Sequence, residues 1–399
     1  MCCSDCSSCD REKKKEKESM KKKRMVLLAV LLVGLLTACG AKENKTIENR
    51  DTAISSSLTY TSSLETSYAE EFAVDYYEDG YALITIADGS RYLVVPEGKK
   101  APKDLSEDIT VLQKPLKNMY LVASAVMDMF VSLDALDTIR FSGLQADNWY
   151  IPEAREAMQR GDILYAGKYS APDYEMIRAE NCSLAIENTM IGHSPEVQEQ
   201  LERFNIAVLV DRSSYEPEPL GRTEWVKLYG LLTDHEKEAE KAFEREEKAF
   251  AKVGDTDKTG KTVAFFYVTS NGEVNVRKSS DYLPKMIEDA GGKYIFENLG
   301  KDAEATSTIS MQMEEFYAKA KDADYMIYNS TIDGELDTLE DLLAKSPLLQ
   351  KCKAVQEGHV YCTTKNLYQS TMSLGTITGD IHRMLENDDA DLVYLYRLE

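Results

Sequence analysis

The chain has 399 residues, with 47 Lys and Arg against 69 Asp and Glu, a formal net charge of −22, and 43% hydrophobic residues. That length admits two domains or one large one. An acid excess of this size repels phosphate backbones, which excludes nucleic-acid binding, and it disfavours spreading over anionic lipid.

Residues 1–19, MCCSDCSSCDREKKKEKES, place Cys3, Cys6 and Cys9 at metal-ligand spacing. They stand upstream of a full export signal, with no core to hold a site, so they are read as a mis-called extension with Met20 as initiator. Lys21 to Arg24 precede Met25–Leu36, which is uncharged and almost wholly aliphatic, and small residues follow. Twelve such residues are too few to span a bilayer, which takes roughly 20, but they suit the h-region of a signal peptide over residues 20–38. Leu36-Thr37-Ala38-Cys39 resembles the bacterial lipobox, so Cys39 is the expected lipidation site and mature N-terminus. Nine of the Lys and Arg and five of the Asp and Glu precede Cys39, so the processed chain carries −26. A covalent anchor is a sensible way to hold so acidic a surface at a membrane. The expected location is the extracellular face of a cell membrane of Gram-positive type.

Residues 39–71 are rich in Ser, Thr and Glu without hydrophobic periodicity, and are expected to form a disordered tether. After Cys39 only Cys182, Cys352 and Cys362 remain, an odd and scattered trio that reads as buried thiols, with a Cys352–Cys362 bridge as the alternative.

A first α/β lobe is expected over 72–218. DYYEDGYALITIADGSRYLVVPEG alternates apolar and polar residues around two Asp-Gly turns, a hairpin or small meander. ITVLQKP, MYLVAS, IRFSGL, ILYAGK, SLAIEN and IAVLVDR then read as mostly continuous apolar strands. Helix-like AVMDMFVSLDAL, PEAREAMQR, DYEMIRAE and SPEVQEQLERF lie between them. Such alternation implies a parallel sheet covered on both faces. Over 219–254, Trp225, Leu228, Leu232, Ala239, Phe243, Phe250 and Val253 fall along one stripe. The spacing predicts a single amphipathic helix of about thirty residues, roughly 45 Å long, with His235 as a packing residue beside the stripe. The α/β alternation resumes over 255–399, from TVAFFYVT to a last helix near Tyr368–Leu385.

The fold class is therefore α/β, two lobes joined by one long helix with a ligand cleft between them. Pro172-Asp173-Tyr174-Glu175-Met176-Ile177 before SLAIEN, IAVLVDR, Ala290-Gly291-Gly292 and Ala354-Val355-Gln356-Glu357-Gly358-His359-Val360-Tyr361 occur in order. Together they resemble the helical-backbone periplasmic binding proteins, the substrate-binding lipoproteins of ABC importers for iron–siderophore complexes, haem and cobalamin. Cys182-Ser183 departs from that pattern where the family carries Pro-Asp. The resemblance implies a monomeric receptor with no intrinsic cofactor that delivers its ligand to an ABC permease and its ATPase. It also implies docking through one acidic residue per lobe, Glu175 in the first and Glu314, with Glu315 as the neighbouring choice, in the second.

The loops expected to wall the cleft hold Trp149, Tyr150, Tyr165, Lys168, Tyr169, Arg212, Tyr215, Arg222, Arg277 and Lys278. Cations gathered there on so acidic a chain suggest an anionic ligand, with Arg able to fork onto carboxylate or catecholate. Met190 and His193 share a loop, as axial ligands of a haem iron would; no resident metal is assigned. HExxH, GxSxG and GxxxxGK[ST] are missing from the sequence, which weakens a rival reading as an envelope enzyme. No internal repeat supports an adhesion lipoprotein.

Overall fold

Sheets of five, five and seven strands carry the architecture in the computed structural model, which describes residues 51–256, 258–300 and 307–399. The expected extension, the signal peptide and Cys39 lie outside the described residues.

The first sheet runs in chain order through Tyr60–Ser63, Phe72–Tyr77, Ala82–Ile86, Arg91–Val95 and Ile109–Gln113. All neighbours are antiparallel except the last pair. Its inner face, with Phe72, Val74, Ile84, Ile86 and Val94, shares one core cluster with Trp225, Leu228 and Phe243. Its outer face, with Tyr77, Leu83, Leu93 and Val95, is capped by Ile54 and Leu58.

The expected tether is corrected here, because residues 51–71 are part of the fold. Single apolar residues close the outer face, and carboxylates hold the backbone. Glu224 accepts from the amides of Ser67, Tyr68 and Ala69 at 2.8–3.1 Å. Glu216 accepts from those of Glu70 and Glu71 at 2.8 and 2.9 Å. Such contacts leave no periodic trace in the segment they order, since the acceptors lie about 150 residues downstream.

The first lobe proper is a parallel sheet in the order Ala207–Asp211, Leu184–Asn188, Met119–Leu121, Ile139–Ser142, Leu164–Tyr165. Helices Pro152–Arg160 and Pro195–Arg203 start on Pro, whose missing amide costs nothing there. The first ends on Gly161 at φ 81°, a left-handed position that suits glycine. The second lobe has the order Thr308–Met311, Val274–Arg277, Thr262–Val268, Tyr325–Tyr328, Val360–Thr363, Leu395–Arg397, with Lys293–Tyr294 also pairing to Thr262–Val268. Thr262–Val268, Tyr325–Tyr328, Val360–Thr363 and the short Lys293–Tyr294 are parallel, whereas Val274–Arg277, Thr308–Met311 and Leu395–Arg397 pair antiparallel. The continuous apolar run VAFFYV fits a strand covered on both faces.

The link between the lobes is broken where the sequence predicts one helix over 219–254. Pro219–Glu224, Val226–Thr233 and Glu236–Gly254 are separate helices, and Asp234 is left-handed at φ 62°. The His235 amide closes the break on the Gly230 carbonyl at 2.8 Å. The middle helix then folds back onto the third so closely that a Cβ at Gly230 would lie 2.6 Å from that of Ala239. Almost every residue of Val226–Thr233 is buried, so it is a core helix and its stripe is not an amphipathic one.

The bridge is the third helix, 19 residues and roughly 28 Å long. Ala239, Ala242 and Phe243 lie in the first lobe's core, and Phe250 packs on the second. His235 Nδ1 meets the Thr233 carbonyl at 2.7 Å, so it is a local packing residue. All three cysteines among the described residues are free and buried, so Cys352 and Cys362 form no bridge.

Candidate functional site

Strand ends of both lobes meet around a cavity of about 230 Å3. From the first lobe come Ser124 and Ala125 after Met119–Leu121, Asn188 and Asp211 as last residues of their strands, then Ser213 and Ser214. Arg222 enters from the first linking helix, and Arg277, Tyr282, Ser307 and Tyr368 form the opposite wall. A crevice outside the carboxyl ends of strands is where open α/β sheets bind ligands. A larger cavity of about 380 Å3 lies beside the link, near Tyr68, Phe250 and Lys285. Its lining comes from helices and loops with no strand end among them, so the smaller cavity is the one in the crevice position.

The two arginines of the cleft differ sharply. Arg277 forks onto Asp281 at 2.8 and 2.5 Å, and its third nitrogen donates to the Tyr368 hydroxyl at 3.4 Å. Burial works against its charge, but Tyr368 and Asp281 outweigh burial and hold its pKa above the ordinary value. Arg222 is 7% exposed and lies flat on Tyr282, its guanidinium carbon 4.0 Å from the ring centre. Its Nε is buried without a partner. Among the described residues the Arg222 side chain makes no ion pair and donates no hydrogen bond. Asp211 is in electrostatic reach, but its oxygens accept from Ser213 Oγ at 2.6 Å and Tyr229 at 2.7 Å. Burial pushes the Asp211 carboxyl above its usual range against these contacts.

One wall is locked to the other lobe by residues 369–375. Gln369 accepts from the Tyr150 amide at 2.8 Å and donates to the Asn148 carbonyl at 2.9 Å. Thr371 donates to the Ala125 carbonyl at 2.7 Å. The Met372 and Gly375 amides donate to Asp128 and Glu246 at 2.7 and 2.8 Å. These bonds fix Tyr368 against the first lobe.

Of the residues expected at the site, the structure brings Arg222 and Arg277 together in this cavity. Trp149 is corrected: it is 1% exposed in the core, its indole donating to Ser142 Oγ at 2.9 Å, because a ring that large is worth more buried than lining a wet cleft. Lys278 is buried and does not line the cavity. Arg212 is engaged by Glu71 at 2.6 Å and stacks on Tyr215 at 4.4 Å, outside the cavity. Tyr150 acts through its backbone on Gln369. Lys168 and Tyr169 belong to a small ribbon, Gly167–Lys168 with Ala171–Pro172, and Tyr169 packs on the core beneath it. Tyr165, Met190 and His193 are exposed and do not line the cavity; the last two lie on a 3-10 turn capped by the cavity residue Asn188, which accepts from the Met190 amide at 2.9 Å. Glu175 and Glu314 are exposed in the first turns of Tyr174–Ala179 and Met313–Ala320.

Asp211, Ser213 and Ser214 share a loop with the expected Arg212, Tyr215 and Arg222, but small and acidic residues carry none of the basic or aromatic signal that picks out their neighbours. Tyr282 was hidden as an ordinary helical aromatic. Among the described residues no group of three or more His, Cys, Asp or Glu is placed to hold a metal ion, and no helix is long and apolar enough to cross a membrane.

The family model described as periplasmic binding protein matches residues 147–367. An uncharacterized lipoprotein of Methanocaldococcus jannaschii is 23% identical over 402 residues, covering 94% of this chain and 99% of its own. A periplasmic haem-binding protein from Pseudomonas aeruginosa superposes with a TM-score of 0.55 at 15% identity, over 71% of this chain and 98% of that one. A protein of an ABC-type Fe3+-hydroxamate transport system from Saccharomonospora viridis gives 0.52 at 19% identity, over 67% and 92%. At these identities the structural likenesses speak for the fold.

Proposed function

The chain belongs to the periplasmic binding protein family, and on that premise we propose that it is the substrate-binding component of an ABC importer. It captures an iron–siderophore, haem or corrinoid-type ligand between its lobes and delivers it to the permease and its ATPase. The observation that carries this reading is the cleft itself, formed at strand ends from both lobes across a bridging helix and holding the buried Arg222 and the half-buried Arg277. Cations in such a crevice favour an anionic ligand. Haem and Fe3+-hydroxamate in the names of its structural neighbours support the same class. Cys39 is the proposed anchor, in keeping with a relative named a lipoprotein, and Glu175 and Glu314 are the proposed permease contacts.

Native mass spectrometry of the purified protein with a mixture of ferric chelates, haemin, cyanocobalamin, sugars and amino acids tests the reading. Capture of a metal chelate or tetrapyrrole is expected. Binding only of a sugar or an amino acid would overturn it.

A further inference from the structure

The crevice between the lobes is open over only part of its length. In the first lobe's sheet, Ala207–Asp211, Leu184–Asn188 and Met119–Leu121 lead into the cavity through Asp211, Asn188 and Ser124. The next strand, Ile139–Ser142, sends no residue to it. The turn that follows this strand, residues 146–150, is covered instead by Gln369 of the second lobe. Gln369 is 8% exposed and engages both ends of its amide, the oxygen on the Tyr150 amide and the nitrogen on the Asn148 carbonyl. Thr371 donates beside it to the carbonyl of Ala125, a cavity residue. The amides of Gln369 and Ser370 both donate to the Asn366 carbonyl, at 2.9 and 3.0 Å, which makes the tip a tight turn.

This crossing changes character along its length. At the front, Gln369 and Thr371 bond to main-chain groups that water serves nearly as well, so opening exchanges those bonds at small net cost. The rear is apolar and dense. Met372 packs on the first lobe's core and Leu374 on the second's, and a Cβ at Gly375 would lie 2.5 Å from that of Ala249 on the bridging helix. A polar front ahead of an apolar rear suits local opening at the front alone. Size gives that opening a task. The cavity of about 230 Å3 is below the roughly 300–1,000 Å3 of pockets that engulf a drug-sized ligand. A larger ligand needs the stretch of crevice that Gln369 covers.

We propose that Gln369 is the size-selecting clasp of the cleft: its two bonds to the 148–150 turn close the crevice to a bulky ligand, and they release, with the rear seam intact, to admit one. This rests on the receptor reading above and adds a gate to it. The bulky ligand binds the open form alone, so its apparent association is scaled by the fraction of open clasp.

The test compares wild type, Gln369→Ala and Gln369→Glu. Amide hydrogen exchange of the ligand-free protein reads the clasp directly. Stopped-flow fluorescence reads admission, with haemin and cyanocobalamin as bulky probes and ferric citrate as a compact one. In wild type the Tyr150 amide exchanges faster than the Gly375 amide. Gln369→Ala speeds Tyr150 exchange and association of the bulky probe that binds by roughly 10-fold, while Gly375 exchange and ferric citrate association stay unchanged. Gln369→Glu keeps the acceptor for Tyr150 but sets a carboxylate oxygen against the Asn148 carbonyl, and it behaves as Gln369→Ala does. A common exchange rate for Tyr150 and Gly375 in wild type overturns the clasp, since the front then opens only with the rear. Equal association of the bulky probe in all three proteins overturns the gate and leaves the receptor reading standing. Gly375 exchange that accelerates as much as Tyr150 exchange in Gln369→Ala makes Gln369 a structural residue. If none of the three probes binds, the receptor reading falls and the gate with it.

Discussion

The two walls of the cleft handle the same residue type in opposite ways. On the second lobe, Arg277 is satisfied by Asp281 and Tyr368, and Asp281 also caps helix Tyr282–Asp289 through the Leu283 amide at 3.1 Å. Across the gap, Arg222 rests on the same Tyr282 ring with its Nε unpaired. A paired buried charge is part of the scaffold, and removing its partner strands it. Arg222 instead rests on a ring stack and on the nearby Asp211 charge, so the fold depends on it less than on the forked pair.

The sharpest way to break this contrast is to remove Asp281. Asp281→Ala leaves Arg277 uncompensated and uncaps the helix, so urea denaturation should show a loss of about 3–5 kcal/mol. A loss no larger than that of Arg222→Gln would erase the distinction between the walls. Next in size is the seam that holds the walls together. Gly375 packs on the bridging helix so closely that a Cβ would lie 2.5 Å from that of Ala249. Gly375→Val should therefore destabilise by about 1–3 kcal/mol through overpacking, read in the same denaturation experiment.

The seam also depends on pH. Burial pushes Asp128 up to about 6 and Glu246 up to about 7, the Met372 and Gly375 amides opposing it. Burial likewise pushes Glu216 up to about 7, and Glu187, whose two oxygens have no hydrogen-bond partner among the described residues, up to about 8. Each folded pKa is raised above its unfolded value, so each group's stabilising contribution is complete below the ordinary carboxylate range and is lost as pH rises through the folded value. The melting temperature should fall between about pH 5 and about pH 8.5, and Glu187→Gln should flatten the upper part of that fall. A melting temperature that rises over this window would contradict the assignment.

Much of the fold was legible because it depends on local pattern. The continuous apolar strands SLAIEN, IAVLVDR and VAFFYV and the Pro-led helices fall where their residues predict. What was hidden depends on partners distant in sequence. Residues 67–71 are ordered by carboxylates of Glu216 and Glu224, and the link breaks at Asp234 because Gly230 lets two helices touch. The site was half legible for the same reason. Basic content picks out Arg222, Arg277 and Arg212 alike, and only the fold reveals that Glu71 already engages the last. Trp149 was misleading, since a large aromatic beside a loop carries no sign of which way it faces.

The smallest effect belongs to the outer surface. Glu175 and Glu314 are exposed and lie away from the cavity wall. Glu175→Ala with Glu314→Ala should change stability by less than about 0.5 kcal/mol, leave chelate affinity unchanged and weaken permease binding. Undiminished permease binding would remove them from the docking surface.

The most direct measurement is anomalous diffraction at the iron edge from crystals grown with a ferric carboxylate chelate. The account predicts an iron peak in the cleft between the lobes, at the wall that carries Ser213, Arg222, Arg277 and Tyr282. Iron bound to Met190 or His193, or a peak elsewhere on the molecule, would contradict it.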